Sequence, residues 1–242
     1  MASLPPSACC AVKFDHEGES VGTLKTVAGL HSYVTGESYG VEKVIIILSD
    51  IFGLALKNNL LLADQLSALG KIQVIIPDIL GGDGVESIEK FDRTTFFAAH
   101  GPHVTTPLVN EFLKTYREEF KPKTLFGIGY CFGAYFTIEN LSKDGLLDAG
   151  AVAHPSMVSK ELIENLAKPL LISSGEADAA FTPELRELTI KILSEKKDLR
   201  WQLDLFQGAY HGYAVKGDIS VPLIKYAKEK TVIDQIYWFG QF

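Results

Sequence analysis

The chain alternates short, continuous apolar runs with longer stretches in which apolar and polar residues recur at helical spacing. The clearest run is Val44-Ile45-Ile46-Ile47-Leu48. An uninterrupted run of mostly β-branched residues is typical of a strand that is buried on both faces of a parallel sheet. Further short runs predict strands at residues 72–76, 123–128, 149–153 and 169–174, and an apolar–polar alternation predicts a half-buried strand at residues 200–206. We expect two edge strands near residues 22–27 and 30–34.

Amphipathic stretches separate these runs. Residues 54–69 carry apolar side chains at helical spacing, and Gly70 is suited to end a helix there. Thr182 and Pro183 have the pattern of an N-cap followed by the first helical residue. Further helices are predicted at residues 106–120, 134–141 and 221–239, and residues 81–103 are expected to form an excursion of loop and helix over the sheet.

Strands that alternate with helices indicate an α/β fold with a mostly parallel central sheet and helices on both faces. A chain of 242 residues with 47% hydrophobic residues has enough apolar side chains for one large core. We therefore expect a single domain over residues 1–242, in which residues 1–24 form an irregular N-terminal lead.

Charge and cysteine content narrow the function classes. The chain has 30 acidic and 23 basic residues, a formal net charge of -7, which disfavours nucleic acid and anionic membranes as partners. It lacks a run of about 18 apolar residues and has no basic and apolar leader at its start. Cys9 and Cys10 are adjacent, which suits neither an ordinary disulfide nor a zinc site. We expect a cytoplasmic protein, with Cys131 as a thiol.

One pentapeptide, Gly129-Tyr130-Cys131-Phe132-Gly133, joins a predicted strand to a predicted helix. A residue at the apex of such a turn presents its reactive atom away from the sheet, beside the N–H groups of the new helix. This is the pattern G-x-S-x-G of a nucleophile elbow, with cysteine in place of serine. A glycine-rich turn that serves only to pack a buried helix has the same pattern, so this motif leaves both interpretations open.

Ligands of parallel sheets bind beyond the carboxyl ends of the strands. The polar residues that follow predicted strands are Asp50, Asp78, Cys131, His154, Asp178 and His211. Among them, Cys131, Asp178 and His211 occur in the order nucleophile, acid, histidine, each at a strand end. This is the chain order of the triad in α/β hydrolases.

The chemistry assigns a role to each of the three. A thiol is only slightly ionised at neutral pH and needs a base, which His211 supplies, while Asp178 orients the imidazole and stabilises its cation. The structural alternatives are a surface-loop histidine and an acid that caps the helix after Thr182. His154 is a rival base, but it precedes the acid in the chain, and Pro155 favours a structural turn.

The attacked carbonyl oxygen gains negative charge and needs fixed hydrogen-bond donors. The N–H group of Phe132, directly after the nucleophile, is one candidate. The other is the N–H group of Ile51, in the loop after the strand at 44–48.

Four motifs together resemble the dienelactone hydrolase family of the α/β-hydrolase superfamily. They are the pentapeptide at 129–133, Gly-Glu-Ala-Asp at 175–178, His-Gly-Tyr at 211–213 and Asp-Ile-Phe-Gly at 50–53, and the resemblance covers residues 25–240. The pair Cys9-Cys10 and the stretch at 154–156 are similar to the fungal members.

The resemblance implies a hydrolase of small esters or lactones that uses a Cys-Asp-His triad and needs no metal or organic cofactor. By this analogy, Cys131, Asp178 and His211 are the triad and the backbone of Ile51 and Phe132 forms the oxyanion hole. Asp50 and Tyr130 are further candidates for substrate binding.

Two departures from the bacterial members concern the substrate. Asp50 stands where those enzymes have a glutamate that holds the resting thiol, and Lys216 lies where they bind a substrate carboxylate with an arginine. A lysine does not reproduce the planar fork of a guanidinium, which argues against an anionic lactone. The alternative hypothesis is a catalytically weak, hydrolase-derived protein that binds small molecules or senses oxidants through its thiol. Monomer and weak dimer are both left open.

Overall fold

The computed structural model describes residues 16–86 and 91–242. Eight strands form one sheet in the order β1-β2-β4-β3-β5-β6-β7-β8. The strands are β1 (Thr23–Val27), β2 (Leu30–Thr35), β3 (Lys43–Leu48), β4 (Gln73–Pro77), β5 (Thr124–Tyr130), β6 (Ala149–Ala153), β7 (Leu170–Gly175) and β8 (Trp201–Phe206). From β4 to β8 the neighbouring strands are parallel, whereas β2 pairs antiparallel with β1 and β4. The predicted α/β class is confirmed.

The helices lie between these strands. They are α1 (Lys57–Gly70), α2 (Arg93–His100), α3 (Pro102–Phe120), α4 (Gly133–Glu139), α5 (Lys160–Glu164), α6 (Pro183–Glu195), α7 (Tyr213–Lys216) and α8 (Pro222–Phe239). All the predicted helices are present, with ends that differ by a few residues. Thr182 caps α6 as predicted, because its side chain accepts a hydrogen bond from the N–H of Leu185. The short helices α5 and α7 were not predicted, since four or five residues give no periodic signal.

Two predictions about the N-terminal part are wrong. β2 is not an edge strand, because it lies between β1 and β4 and buries Ser32 to Thr35. The predicted irregular lead, residues 1–24, includes the first two residues of β1, which begins at Thr23. Cys9, Cys10 and residues 87–90 of the predicted excursion lie outside the described residues.

The centre of the sheet forms the core. Val44 to Leu48 in β3 are at most 1% exposed, which requires cover on both faces of the sheet. α1 packs against β4, α4 against β5 and β6, and α8 against β6 and β7. No described helix combines the length and the apolar character needed to cross a bilayer. Because β3 and β5 to β8 are parallel, their carboxyl ends lie along one edge of the sheet.

Candidate active site

Cys131 occupies a strained turn between β5 and α4. Its φ angle is 49°, in the left-handed region that residues other than glycine rarely adopt. The turn also requires a glycine at 133, because a Cβ there would lie only 1.9 Å from the carbonyl oxygen of Leu48. This close approach places the start of α4 against the end of β3. The pentapeptide therefore has the geometry of a nucleophile elbow.

His211 lies between Cys131 and Asp178. Its Nε2 atom is 3.0 Å from Sγ of Cys131, and its Nδ1 atom is 2.9 Å and 3.0 Å from the two carboxylate oxygens of Asp178. The three side chains are buried, with 3% of Cys131, 2% of Asp178 and 1% of His211 exposed. A thiol, an imidazole and a carboxylate in this order can transfer the thiol proton to Nε2 while Nδ1–H stays bonded to the acid.

The loop after β7 holds the carboxylate of Asp178 in place. Oδ1 accepts hydrogen bonds from the N–H groups of Ala180, at 2.8 Å, and Phe181, at 3.3 Å. The guanidinium of Arg186 in α6 donates to the carbonyl oxygens of Gly175, Glu176 and Phe181. Because one rigid fork binds three carbonyls of this loop, the position of Asp178 is fixed from α6.

The loop after β8 carries His211 and is hydrogen-bonded to the loop after β7. The N–H of Ala177 donates to the carbonyl of Ala209, and the backbones approach so closely at Gly175 that a Cβ there would lie 2.3 Å from the oxygen of Ala209. α7, which follows His211, is anchored at its C-terminal end. Nζ of Lys228 donates to the carbonyl of Ala214, and the amide of Asn58 donates to that of Val215.

Ile51 and Phe132, the predicted oxyanion-hole residues, follow adjacent parallel strands. In the register of β3 and β5, Leu48 pairs with Gly129, so the residues after these two strands emerge side by side. Within residues 16–86 and 91–242, the N–H groups of Ile51 and Phe132 donate to no other described residue. Both side chains are buried. Two such N–H groups at neighbouring strand ends are suited to bind a developing oxyanion.

Asp50 binds its own loop and not the thiol. Its Oδ1 atom accepts hydrogen bonds from the N–H of Phe52, at 3.1 Å, and from the amide of Asn59, at 3.0 Å. Its Oδ2 atom is buried without a hydrogen-bond partner among the described residues. Burial raises the pKa of this carboxyl above its ordinary value, against the opposing effects of the Asn59 hydrogen bond and of the Lys216 charge.

Lys216, at the end of α7, is buried beside this loop. Its Nζ atom lies 4.9 Å from the centroid of the Phe52 ring, a cation–π distance. Its charge opposes the rise in the pKa of Asp50 and also acts on His154. The lysine that the sequence placed at a family arginine position is therefore part of the surroundings of the site.

His154, the rival base, packs against the ring of His211. The two ring centroids are 5.2 Å apart at 77°, and His154 is fully buried with φ at 40°. Neither ring nitrogen has a hydrogen-bond partner within the described ranges. Burial, together with the nearby His211 and Lys216, holds the pKa of His154 well below its usual value. His154 is thus a neutral ring beside the candidate base.

Tyr130 does not face the site. Its side chain is fully buried, and its hydroxyl donates to the side-chain oxygen of Gln235 in α8 at 2.9 Å. The prediction that Tyr130 contacts the substrate is therefore not supported by its placement. Strand alternation explains the difference: Tyr130 is the last residue of β5 and points into the core, whereas Cys131 stands beyond the strand.

The sequence missed some neighbours of the thiol. Ser156, after β6, lies with its Oγ atom 3.8 Å from Sγ of Cys131, and Asn59 binds the Asp50 carboxylate. Asn59 belongs to no strand-end acid or base pattern, and Ser156 lies in the stretch 154–156 that resembles the fungal members but had no role of its own assigned to it. Asp78, by contrast, follows β4, and its carboxylate accepts a hydrogen bond from the N–H of Leu80 in its own loop.

An aromatic cluster from the predicted excursion covers the elbow. The rings of Phe96 and Phe97 in α2 lie 5.5 Å and 6.3 Å from that of Phe132. Beside Phe96 is a cavity of about 360 Å³. Its described lining combines apolar with acidic groups: Asp83, Val85, Glu86, Phe91, Asp92, Thr95, Phe96, Ala99 and His100. The apolar part of this lining suits apolar groups, while Asp83, Glu86 and Asp92 are solvent-exposed.

The chain is similar to known proteins over nearly its whole length. The family model of the dienelactone hydrolase family matches residues 30–242. A protein of Aspergillus violaceofuscus named hydrolase pyvD is 36% identical over 248 residues, which cover 100% of this chain and 99% of that protein. Hydrolase tropI of Talaromyces stipitatus is 30% identical and covers 100% of this chain and 98% of its own length.

Solved structures give the same fold. The crystal structure of a protein described as a dienelactone hydrolase, from Klebsiella pneumoniae, superposes with a TM-score of 0.70, covering 96% of this chain and 97% of that one. At 16% identity, this likeness supports the fold alone.

Proposed function

The chain belongs to the dienelactone hydrolase family, and we propose that it hydrolyses its substrates through a covalent acyl-enzyme on the sulfur of Cys131. Family membership makes the protein a hydrolase of small esters or lactones. The proposal adds which residues perform the reaction. The observation that carries it is the 3.0 Å distance between Nε2 of His211 and Sγ of Cys131, with Asp178 bonded to the opposite ring nitrogen.

In the proposed first half-reaction, His211 takes the thiol proton at Nε2 and the sulfur attacks the carbonyl carbon of the ester. The C–O bond to the alcohol then breaks, and the imidazolium gives its proton to the leaving oxygen. In the second half-reaction, a water molecule gives a proton to His211 and its oxygen attacks the thioester carbon. The C–S bond then breaks, the carboxylic acid is released, and the imidazolium returns the proton to the sulfur. Asp178 supports both halves because its carboxylate is fixed by Ala180 and Phe181 and stabilises the imidazolium.

The tetrahedral intermediate of each half carries a negative oxygen. We assign its binding to the N–H groups of Ile51 and Phe132. The absence of another described acceptor for either group supports this assignment. Donors of this kind contribute about 3 kcal/mol each to the stability of the transition state.

The surroundings of the elbow favour an uncharged substrate with an apolar group. The cavity beside Phe96 has Phe91 and Val85 in its wall and carries the carboxylates of Asp83 and Asp92. Asp83 and Asp92 are solvent-exposed and repel a substrate carboxylate only weakly, whereas a small apolar acyl or alkoxy group gains by burial beside Phe96.

The test is steady-state hydrolysis of small neutral activated esters, of a neutral lactone and of dienelactone, which is anionic. We expect the wild-type protein to cleave the neutral compounds faster. Cys131→Ala and His211→Ala should each abolish the cleavage. A variant with Cys9→Ser and Cys10→Ser is the matched control, and it should keep wild-type rates. Undiminished turnover in Cys131→Ala would contradict the proposal, and tight ligand binding without turnover would favour the alternative of a hydrolase-derived binding protein.

A further inference from the structure

The loop after β6 contacts Cys131 through both backbone and side chain. The N–H of Ser156 donates to the carbonyl of Cys131 at 3.1 Å, and the N–H of Cys131 donates to the carbonyl of Ala153 at 3.3 Å. The Oγ atom of Ser156 lies 3.8 Å from Sγ of Cys131. Two backbone hydrogen bonds thus hold the loop against the elbow and place a hydroxyl beside the sulfur.

This hydroxyl has no competing task within the described part of the chain. Ser156 is fully buried, and Sγ of Cys131 is its one side-chain hydrogen-bond partner among those residues. A buried hydroxyl that points its single proton elsewhere would leave that proton unbonded, which is unfavourable. Either atom can donate in this contact while the thiol keeps its proton, and once the thiol has lost it the hydroxyl of Ser156 is the atom that can donate.

The loop reaches this position in an uncommon backbone conformation. His154 has φ at 40° and Met157 has φ at 58°, so two left-handed residues flank Pro155 and Ser156. Residues other than glycine adopt this region at an energetic cost, and such residues cluster where a site requires a particular geometry. The segment that carries Ser156 is one such place.

We propose that Ser156 is a positioning residue that donates a hydrogen bond to the Cys131 sulfur and thereby stabilises the thiolate before attack. The inference rests on the proposed function, since it gives Ser156 a role for the same nucleophile. In the step concerned, the S–H bond breaks, its proton forms a bond with Nε2 of His211, and Ser156 keeps its own proton. The thiolate then accepts hydrogen bonds from both groups, and a donor to the charged form favours that form.

Several other groups around the sulfur influence the same equilibrium. The candidate base and its acid face Cys131 from the loops after β8 and β7, and the neutral His154 packs on the base. Within residues 16–86 and 91–242, further charged side chains that act on this cluster lie on the loop after β3, on α7 and on α8: Asp50, Lys216 and Lys228. Changing Ser156 leaves all of these side chains in place.

The experiment is a pH titration of thiolate absorbance in the full chain. In each background, the same titration with Cys131→Ser is subtracted, which removes the contribution of Cys9 and Cys10. For Ser156→Ala we expect the midpoint of thiolate formation to rise by about one pH unit, which means roughly tenfold less thiolate at a given pH below it. Ser156→Thr keeps a hydroxyl, so its midpoint should lie close to that of the wild type.

Ser173→Ala is the matched control, because Ser173 is a fully buried serine on the neighbouring strand β7 whose hydroxyl bonds to no described residue. It should leave the midpoint unchanged. If Ser156→Ala fails to fold, as judged by circular dichroism, Ser156→Gly removes the same hydroxyl. A midpoint in the hydroxyl-free variant equal to that of the wild type would overturn the inference.

The titration uses no substrate, so its outcome is independent of the proposed reaction. A raised midpoint in a protein that proves unable to hydrolyse esters would leave the role of Ser156 intact while the proposed function fails. If hydrolysis requires Cys131 but the midpoint of the hydroxyl-free variant is unchanged, the proposed function stands and the role of Ser156 fails.

Discussion

The Nε2 atom of His211 lies 3.0 Å from Sγ of Cys131, although the two residues are 80 positions apart in the chain. They meet because β5 and β8 end at the same edge of the sheet and because the loop after β8 is bonded to the loop after β7. The sulfur therefore faces the imidazole, while Asp50 is occupied by Phe52 and Asn59. Asp178 is thus bonded to the candidate base, whereas Asp50 is bonded away from the thiol. The site leads to four predictions.

Replacing Asp178 by Asn should reduce kcat by about 10⁴-fold without loss of folding. Oδ1 is bound by the N–H groups of Ala180 and Phe181, so the new amide NH₂ group would take the position of Oδ2 and face Nδ1 of His211. The ring would then carry its proton on Nε2 and could not accept one from the thiol. Stopped-flow hydrolysis of a small activated ester measures the effect.

Asp78→Asn is the matched control for that variant. Asp78 also follows a strand, but its carboxylate accepts a hydrogen bond from the N–H of Leu80 in its own loop, away from the triad, and we expect turnover close to that of the wild type. Retention of more than about a tenth of the activity in Asp178→Asn would be inconsistent with the assigned role of the acid.

Replacing Gly133 by Ala should lower the free energy of unfolding by at least about 3 kcal/mol. A Cβ at this position would lie 1.9 Å from the carbonyl oxygen of Leu48, so the elbow would have to move away from β3. Gly240→Ala is the control, because its Cβ would meet no atom closer than 3.4 Å, and it should change stability by less than about 0.5 kcal/mol. Urea denaturation of both variants decides the matter, and equal midpoints would refute the close approach.

Replacing Asp50 by Asn should change how stability depends on pH. Because burial raises the pKa of Asp50, the folded protein binds this proton more tightly than the unfolded chain does. The contribution of protonated Asp50 to the free energy of unfolding is fully present at pH values below the ordinary pKa of a carboxyl group. It is lost as the pH rises through the raised pKa, at up to about 1.4 kcal/mol per pH unit.

Asparagine has no carboxyl proton, so the Asp50→Asn variant does not lose stability in this way. Its side-chain oxygen can still accept a hydrogen bond from the N–H of Phe52. Its free energy of unfolding should therefore increase relative to that of the wild type as the pH rises through this window. Urea denaturation at a series of pH values measures the difference, with Asp78→Asn as the reference. Parallel curves for Asp50→Asn and the wild type would show that Asp50 carries no such penalty.

The sequence predicted the features that depend on burial within single strands and on the order of strands along the chain. β-branched runs such as Val44–Leu48 predicted the sheet because parallel strands are apolar on both faces. The candidate triad followed from the position of Cys131, Asp178 and His211 at strand ends. These signals require only the order of residues along the chain.

Other features depend on how loops from different strands meet. Ser156 contacts the sulfur because its loop, with left-handed residues at His154 and Met157, lies against the elbow; Pro155 indicated a turn here, but not which way the turn faces. Tyr130 was misplaced because its neighbour in the pentapeptide points to the site, while its own ring lies in the core. The burial that raises the pKa of Asp50 likewise appears only when the loop after β3 is packed under Lys216 and Asn59.

The most direct test of the account is to identify the atom that carries the acyl group during turnover. The protein is mixed with a small activated ester, quenched in acid within the first turnover, digested and mapped by mass spectrometry. We predict that the acyl mass lies on Cys131 in the wild type and is absent from Cys131→Ala, which should also lose turnover. An acyl group on another residue, or turnover without any adduct on Cys131 and unchanged in Cys131→Ala, would contradict the account.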